Sequence, residues 1–145
     1  PLSIPSRAKI DKELLGVWRL DSTDEEEKPA TIVFYPFNDH EFVVVSWEIK
    51  EGEDDVNLMK AFVTIIRDTK FLNIQELSPE TKEDKWMFVE YSVSGDELTL
   101  RIVMDKLFRQ KFNTSRALRR FFKDNLENQE LYNKNDKMLL KRVRI

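Results

Sequence analysis

The sequence lacks most of the residues on which common active sites depend. It has no cysteine, a single histidine (His40) and only three glycines among 145 residues. Without cysteine the chain has no disulfide, no thiol nucleophile and no cysteine-ligated zinc. One histidine excludes sites that need two, and three scattered glycines cannot build a glycine-rich phosphate-binding loop. These absences favour a protein that is not an enzyme and that uses no cofactor or metal.

Charge and hydropathy narrow the class of protein further. The 27 acidic and 24 basic residues leave a net charge of −3, whereas a nucleic-acid-binding domain is usually clearly basic. Hydrophobic residues make up 41% of the chain, which is enough for a folded core in a single domain of this length. No stretch of about 18 apolar residues is present, so the sequence predicts no transmembrane helix.

The first eight residues have the composition of a linker, with prolines and serines at alternate or neighbouring positions. We therefore predict a linker over 1–8 and one domain over 9–145. The sequence shows no signal peptide and begins at Pro1 rather than at a methionine. A removed leader, or a lipid-anchored cysteine before Pro1, is a hypothesis that would place the domain on the envelope side, periplasmic or membrane-anchored.

Short apolar or alternating segments, separated by polar loops, predict a series of β-strands. The segments are 16–20, 30–37, 41–50, 58–67, 71–77, 86–93, 97–104 and 138–143. Asp11 is predicted to cap a short helical turn before the first strand. Thr114 or Ser115 is predicted to cap a helix that runs to about Leu126. Residues 106–113 are ambiguous between strand and loop.

Consecutive strands with short connections predict an antiparallel meander, and closing it into a barrel removes the exposed sheet edges. We therefore predict a mainly β protein, an up-and-down antiparallel barrel with one C-terminal helix packed outside. Alternation assigns an inward face to four strands. These positions are Val43, Val45, Trp47 and Ile49; Met59, Ala61, Val63 and Ile65; Met87, Val89, Tyr91 and Val93; and Leu98, Leu100, Ile102 and Met104. Phe42, Phe62, Ile66 and Phe88 fall on the outer face, some of them under the helix. A packed core and a ligand cavity would use the same apolar residues, so both interpretations stay open.

The chain resembles the lipocalin (calycin) family. The resemblance rests on a first strand that reads Gly16-x-Trp18, the meander, the late helix and the final strand. It is most similar to the lipocalin-like domains of bacterial envelope proteins, since it lacks the disulfide of ordinary lipocalins. The resemblance implies that Trp18 lies at the closed end of the barrel, covered by a basic residue from a late strand. Arg142 is the best match for that residue, and a guanidinium stacks well on an indole.

The predicted function is non-catalytic binding or transport of a small apolar or amphipathic ligand inside the barrel. The candidate wall residues are Tyr35, Val45, Trp47, Met59, Val63, Met87, Tyr91 and Met104. The alternative is a ligand-free protein-interaction or envelope-scaffold module. The partners expected are thus a hydrophobic small molecule or a protein, with no nucleic acid, and a membrane only through an N-terminal lipid anchor.

Charge is unevenly distributed in the predicted barrel. Loops 21–29, 51–55 and 78–85 should share one end and together hold twelve acidic and three basic residues, which leaves +6 for the rest of the chain. An acidic rim would repel fatty acids and favour cationic ligands, metal ions or basic partners. Solvated loops also carry such charges without any ligand. Basic residues concentrate in 106–123, a segment suited to anionic lipid headgroups or a protein partner.

Overall fold

The computed structural model describes residues 1–20, 30–50, 52–77, 86–103, 114–127 and 132–143. Its strands are β1 (Gly16–Leu20), β2 (Ala30–Pro36), β3 (Phe42–Lys50), β4 (Glu53–Ile66), β5 (Thr69–Glu76), β6 (Trp86–Ser94), β7 (Glu97–Val103) and β8 (Tyr132–Val143). The helix α1 spans Ser115–Asp124, and two short 3-10 helices span Pro5–Arg7 and Lys12–Leu14.

The eight strands form one closed antiparallel barrel in chain order, with β8 paired to both β7 and β1. The predicted fold, a mainly β up-and-down barrel with a single helix near the C-terminus, is confirmed. Because neighbouring strands run in opposite directions, the β1–β2, β3–β4 and β5–β6 connections lie at one end, which we call the mouth. The opposite end, where β2–β3, β4–β5 and β6–β7 connect, is the closed end.

The 3-10 helix Lys12–Leu14 covers the closed end. The side chain of Asp11 accepts a hydrogen bond from the Glu13 amide, which confirms the predicted cap. Leu14 is fully buried, and its carbonyl accepts a hydrogen bond from the Trp18 indole nitrogen at 2.8 Å. A buried aromatic side chain therefore ties this segment to the first strand.

The helix α1 packs on the outside of the barrel. Thr114 caps it, since its hydroxyl accepts from the Ala117 amide at 3.1 Å. The ring of Phe122 makes edge contacts, with centroid distances of 5.3 Å, to Phe71 of β5 and Phe88 of β6. These side chains belong to a second apolar cluster outside the barrel: Leu2, Ile66, Phe71, Phe88, Val103, Leu118 and Phe122. The expectation that some of the outer-face residues lie beneath the helix is confirmed, and Ile66 and Phe88 do so.

The predicted inward face of β3 is wrong. Phe42 and Val44 point into the interior, with 0% and 2% of their surfaces exposed, whereas Trp47 is 45% exposed on the outer face. Val43, Val45 and Ile49 lie on that same outer face. The inward face of β3 also carries Ser46 and Glu48, which polarity alone would place outside, so the register with β2 and β4 decides the orientation. On β4 the inward face is as predicted except that Ile65 is exposed beside the β4–β5 turn.

Two strands extend further than their side chains predict. β4 begins at Glu53, within the predicted acidic loop, because its backbone pairs with β3 from Lys50↔Glu53 onwards. β8 begins at Tyr132 rather than at Met138 and pairs with Val103 of β7. Backbone pairing with a neighbouring strand outweighs the polar composition in both places. Loops 21–29 and 78–85, and the ambiguous segment 106–113, lie outside the described residues.

Residues 1–8 pack against the barrel, although their composition indicates a linker. Leu2 is buried, and its amide donates a 2.6 Å hydrogen bond to Oδ1 of Asn73, a fully buried residue on β5. Asn73 in turn donates from Nδ2 to the Thr64 hydroxyl at 2.9 Å. The N-terminal segment thus completes a buried polar network that the strands alone leave unsatisfied.

Candidate functional site

A cavity of about 380 Å³ occupies the mouth half of the barrel interior. Seven of the eight strands, β2 to β8, contribute side chains to its wall. The lining residues are Ile32, Phe34, Val44, Ser46, Asn57, Met59, Leu72, Ile74, Glu76, Met87, Val89, Leu100, Ile102 and Met138. The volume lies near the lower end of the range of about 300–1,000 Å³ that small-molecule pockets occupy.

Side-chain size explains why the barrel is filled at one end and hollow at the other. At the closed end, large side chains such as Trp18, Phe42 and Leu140 interdigitate and are fully buried. Towards the mouth, the inward positions of β3 and β4 carry the smaller or unbranched Ser46, Asn57 and Met59. The interior is therefore a packed core towards the closed end and an open cavity towards the mouth.

The cavity wall is apolar except on one side. Its three polar side chains are Ser46 on β3, Asn57 on β4 and Glu76 on β5. Ser46 faces Asn57 across the strand pair, and Glu76 faces Met59, the next inward residue after Asn57. The three form one contiguous polar wall on adjacent strands, close to the mouth.

The closed end is sealed by the residues that carry the family resemblance. The guanidinium carbon of Arg142 lies 4.3 Å from the centroid of the Trp18 ring, so the predicted contact is present. Arg142 also donates to the carbonyls of Leu15 at 2.8 Å and Glu13 at 2.7 Å. Gly16 has φ +118°, and a Cβ at this position would lie 3.3 Å from Arg142 Nη1. The arrangement is structural, since none of these side chains lines the cavity.

Asp11 and Tyr91 form a second polar contact at the closed end. The Tyr91 hydroxyl donates to Asp11 Oδ2 at 2.8 Å, and Lys70 Nζ donates to the same oxygen at 3.0 Å. Burial alone would raise the pKa of Asp11, but hydrogen bonds from Lys70, Tyr91 and the Glu13 amide hold it below its ordinary value. Burial, together with the Asp11 charge, raises the pKa of Tyr91. The Tyr91 hydroxyl therefore has a structural role, as a donor to Asp11 at the closed end.

The sequence-predicted wall residues fall into separate groups in the structure. Met59 and Met87 line the cavity, whereas Val63 and Tyr91 point inward but lie in the packed half. Tyr35, Val45 and Trp47 lie on the outer face, so their prediction as interior residues is wrong. The cause is the orientation of β3 and, for Tyr35, the alternation along β2. Tyr35 follows the inward Phe34, pairs with the outer Val43 and is 54% exposed. Met104 lies outside the described residues.

Sequence reasoning missed the polar wall because each of its residues has an ordinary interpretation in the sequence. Ser46 interrupts an apolar strand, Asn57 follows an acidic segment and Glu76 ends a strand. Only the register of three strands brings them together. One signal could have found them. Met59 is predicted to point inward, and its partner across the β3–β4 pair is Val44, so Val44 and Ser46, rather than Val45 and Trp47, belong on the inner face.

The outer surface of β2, β3 and β4 is also apolar. Trp47 lies opposite Val56 and Val45 lies opposite Leu58, so their side chains form a continuous patch. We call this patch the outer apolar face: Tyr35, Val45, Trp47, Ile49, Val56 and Leu58. All of its members except Val45 are exposed. Contiguous exposed apolar patches of this kind commonly mark interaction surfaces.

Other classes of site find no support in the part of the chain that the structure describes. Within these residues, no group of three or more histidine, aspartate or glutamate side chains is arranged to hold a metal ion. No helix among them is long and apolar enough to cross a membrane. Comparisons with family models, with curated proteins and with solved structures find no match. Geometry therefore carries the functional argument.

Proposed function

We propose that this protein binds a small apolar or amphipathic molecule in the mouth half of its barrel, without catalysis, in the manner of a lipocalin-like (calycin) protein. The observation that carries the proposal is the 380 Å³ cavity whose wall comes from seven strands. The Gly16, Trp18 and Arg142 arrangement supports the lipocalin-like comparison, because it seals the end that the resemblance assigns to it.

The size and lining of the cavity set the expected affinity. Each buried CH₂ group contributes about 0.8 kcal/mol, so an octyl chain gains about 6 kcal/mol before the cost of association. That cost is several kcal/mol, even for a preformed site. We therefore expect simple alkyl ligands to bind with dissociation constants of about a millimolar or weaker, and a better-matched natural ligand to bind more tightly.

Methionine methyl groups provide a direct test. The chain has four methionines, and Met59, Met87 and Met138 line the cavity. The protein is labelled with ¹³C at the methionine methyls, and the resonances are assigned by single Met→Leu variants. Titration with octan-1-ol should shift the resonances of these three methionines, and NMR should detect contacts between their methyl groups and the octyl chain. The proposal fails if none of the three responds to millimolar octan-1-ol.

A protein-interaction module is the second candidate, and the outer apolar face is the observation that favours it. Its exposed Trp47 and Leu58 lie outside the barrel, so this function would not use the cavity. A photo-crosslinking residue at position 47, introduced in the cells that natively make the protein, tests it against the same residue at position 120 on α1. The expected result is a partner that crosslinks at position 47 but not at position 120. The crosslinked product should be lost when Leu58→Lys is introduced. Equal labelling at both positions counts against the module.

A further inference from the structure

We propose that the cavity selects amphiphiles with a cationic head, and that the polar wall of Ser46, Asn57 and Glu76 receives that head. This inference rests on the proposed function, since it specifies the ligand of the same cavity. It does not depend on the mouth loops, because all three residues lie on described strands.

Position within the cavity gives the ligand a direction. Glu76 is the last residue of β5 and is exposed at the mouth, whereas Leu72, on the same face of the same strand, is buried. Leu100 lines the buried part of the wall on β7. An apolar tail would therefore enter towards Leu72 and Leu100, and the head would stay beside the polar wall.

Charge on the inward face is divided between the two ends of the barrel. Among the inward side chains that the structure describes, the cations are Lys70 and Arg142, and both lie at the closed end. Lys70 bonds Asp11 at 3.0 Å, and Arg142 bonds two backbone carbonyls. Towards the mouth, Glu76, Glu48 and Asp55 place carboxylates on the described part of the inward face. Glu48 and Asp55 face each other one step beyond Ser46 and Asn57.

The chemistry of the polar wall suits an ammonium group. An alkylammonium has three donors, which match the acceptor oxygens of the Ser46 hydroxyl, the Asn57 amide and the Glu76 carboxylate. A carboxylate head would have to leave water beside Glu76, at a cost from like-charge repulsion and desolvation. A hydroxyl head pays neither penalty and gains no ionic attraction. Because Glu76 is exposed, the discrimination between charges should be modest, about tenfold.

Three ligands of equal chain length test this selectivity at neutral pH: octylammonium, octan-1-ol and octanoate. We expect octylammonium to bind the wild-type protein about tenfold more tightly than octanoate, with octan-1-ol between them, and the ratio to shrink at high salt. Glu76→Gln should reduce the ratio to about threefold or less. Glu97→Gln makes the same change on an exposed residue at the closed end and should leave the ratio unchanged.

The outcomes separate this inference from the proposed function. Equal binding of all three ligands overturns the selectivity and leaves the cavity function intact, whereas no binding of any ligand overturns both. Asn57→Leu, which removes a second acceptor, provides an independent variant. A charge preference that survives unchanged in both Glu76→Gln and Asn57→Leu overturns the assignment of the head-group site.

Discussion

Arg142 and Trp18 face each other directly across the seam that closes the barrel. They are register partners on β8 and β1, and the guanidinium carbon lies 4.3 Å from the indole centroid. The same guanidinium holds the carbonyls of Glu13 and Leu15, which belong to the segment over the closed end. One side chain therefore links the last strand, the first strand and the cover of the closed end.

Arg142→Ala should lower the free energy of unfolding by about 2–4 kcal/mol, because a cation–π contact to the buried Trp18 ring and two charged hydrogen bonds are lost together. Arg142→Lys should recover less than half of the loss, since an ammonium lacks the planar fork. Urea unfolding measures both. Lys141→Ala, at an exposed neighbouring position, is the control and should cost less than about 0.5 kcal/mol. Equal losses in Arg142→Ala and Lys141→Ala would show that the contact does not stabilise the seam.

Val44 and Val45 are adjacent valines on opposite faces of β3, and they provide a matched test of the cavity. Val44 lines the cavity, whereas Val45 lies on the outer face. Val44→Phe should fill part of the cavity and weaken octan-1-ol binding about tenfold, while Val45→Phe should leave binding unchanged. Methionine methyl shifts measure the affinity, and circular dichroism checks that both variants fold. A similar loss of binding in both variants would contradict the assigned orientation of β3.

The architecture could be predicted from the sequence because its local signals agree with one another. The Asp11 and Thr114 caps and the order of the strands all agree with the same barrel. These features depend on neighbours in the chain, so a single sequence reveals them. The Arg142–Trp18 contact is long-range, but the resemblance to a known family supplied it.

The cavity could be predicted only in part, because its walls depend on register. In Phe42-Val43-Val44-Val45 every residue is apolar, so hydropathy fits either orientation of the strand. Asn73 and Leu2 show the same limit for the N-terminal segment. A leucine among prolines and serines has the composition of a linker. Only the structure shows that Leu2 bonds the buried side-chain amide of Asn73 on β5.

Asn73 and the N-terminal segment should be energetically coupled. The Leu2 amide donates to Oδ1 of Asn73, so removing either partner leaves the other unsatisfied at a buried position. Asn73→Ala and deletion of residues 1–4 should each lower the free energy of unfolding by about 2–3 kcal/mol. Because they share one interaction, the double variant should lose clearly less than the sum. Urea unfolding of the four proteins measures this coupling. Strict additivity would show that the segment packs without supporting Asn73.

Asp11 should make the stability of the protein depend on acid pH. Its pKa is lowered in the folded state, so its carboxylate stabilises the fold above its unfolded pKa of about 3.9, and this contribution is lost as pH falls through the lower folded value. Asp11→Asn should cost about 1–2 kcal/mol at neutral pH, because the ion pair with Lys70 and part of the bond from Tyr91 are lost. The difference from the wild-type protein should vanish in strong acid. Asp68→Asn, in the exposed β4–β5 turn, is the control and should change stability little at any pH. Urea unfolding from neutral pH into the acid range tests this, and a deficit in Asp11→Asn that persists at the acid end would contradict a role for the ionised carboxylate.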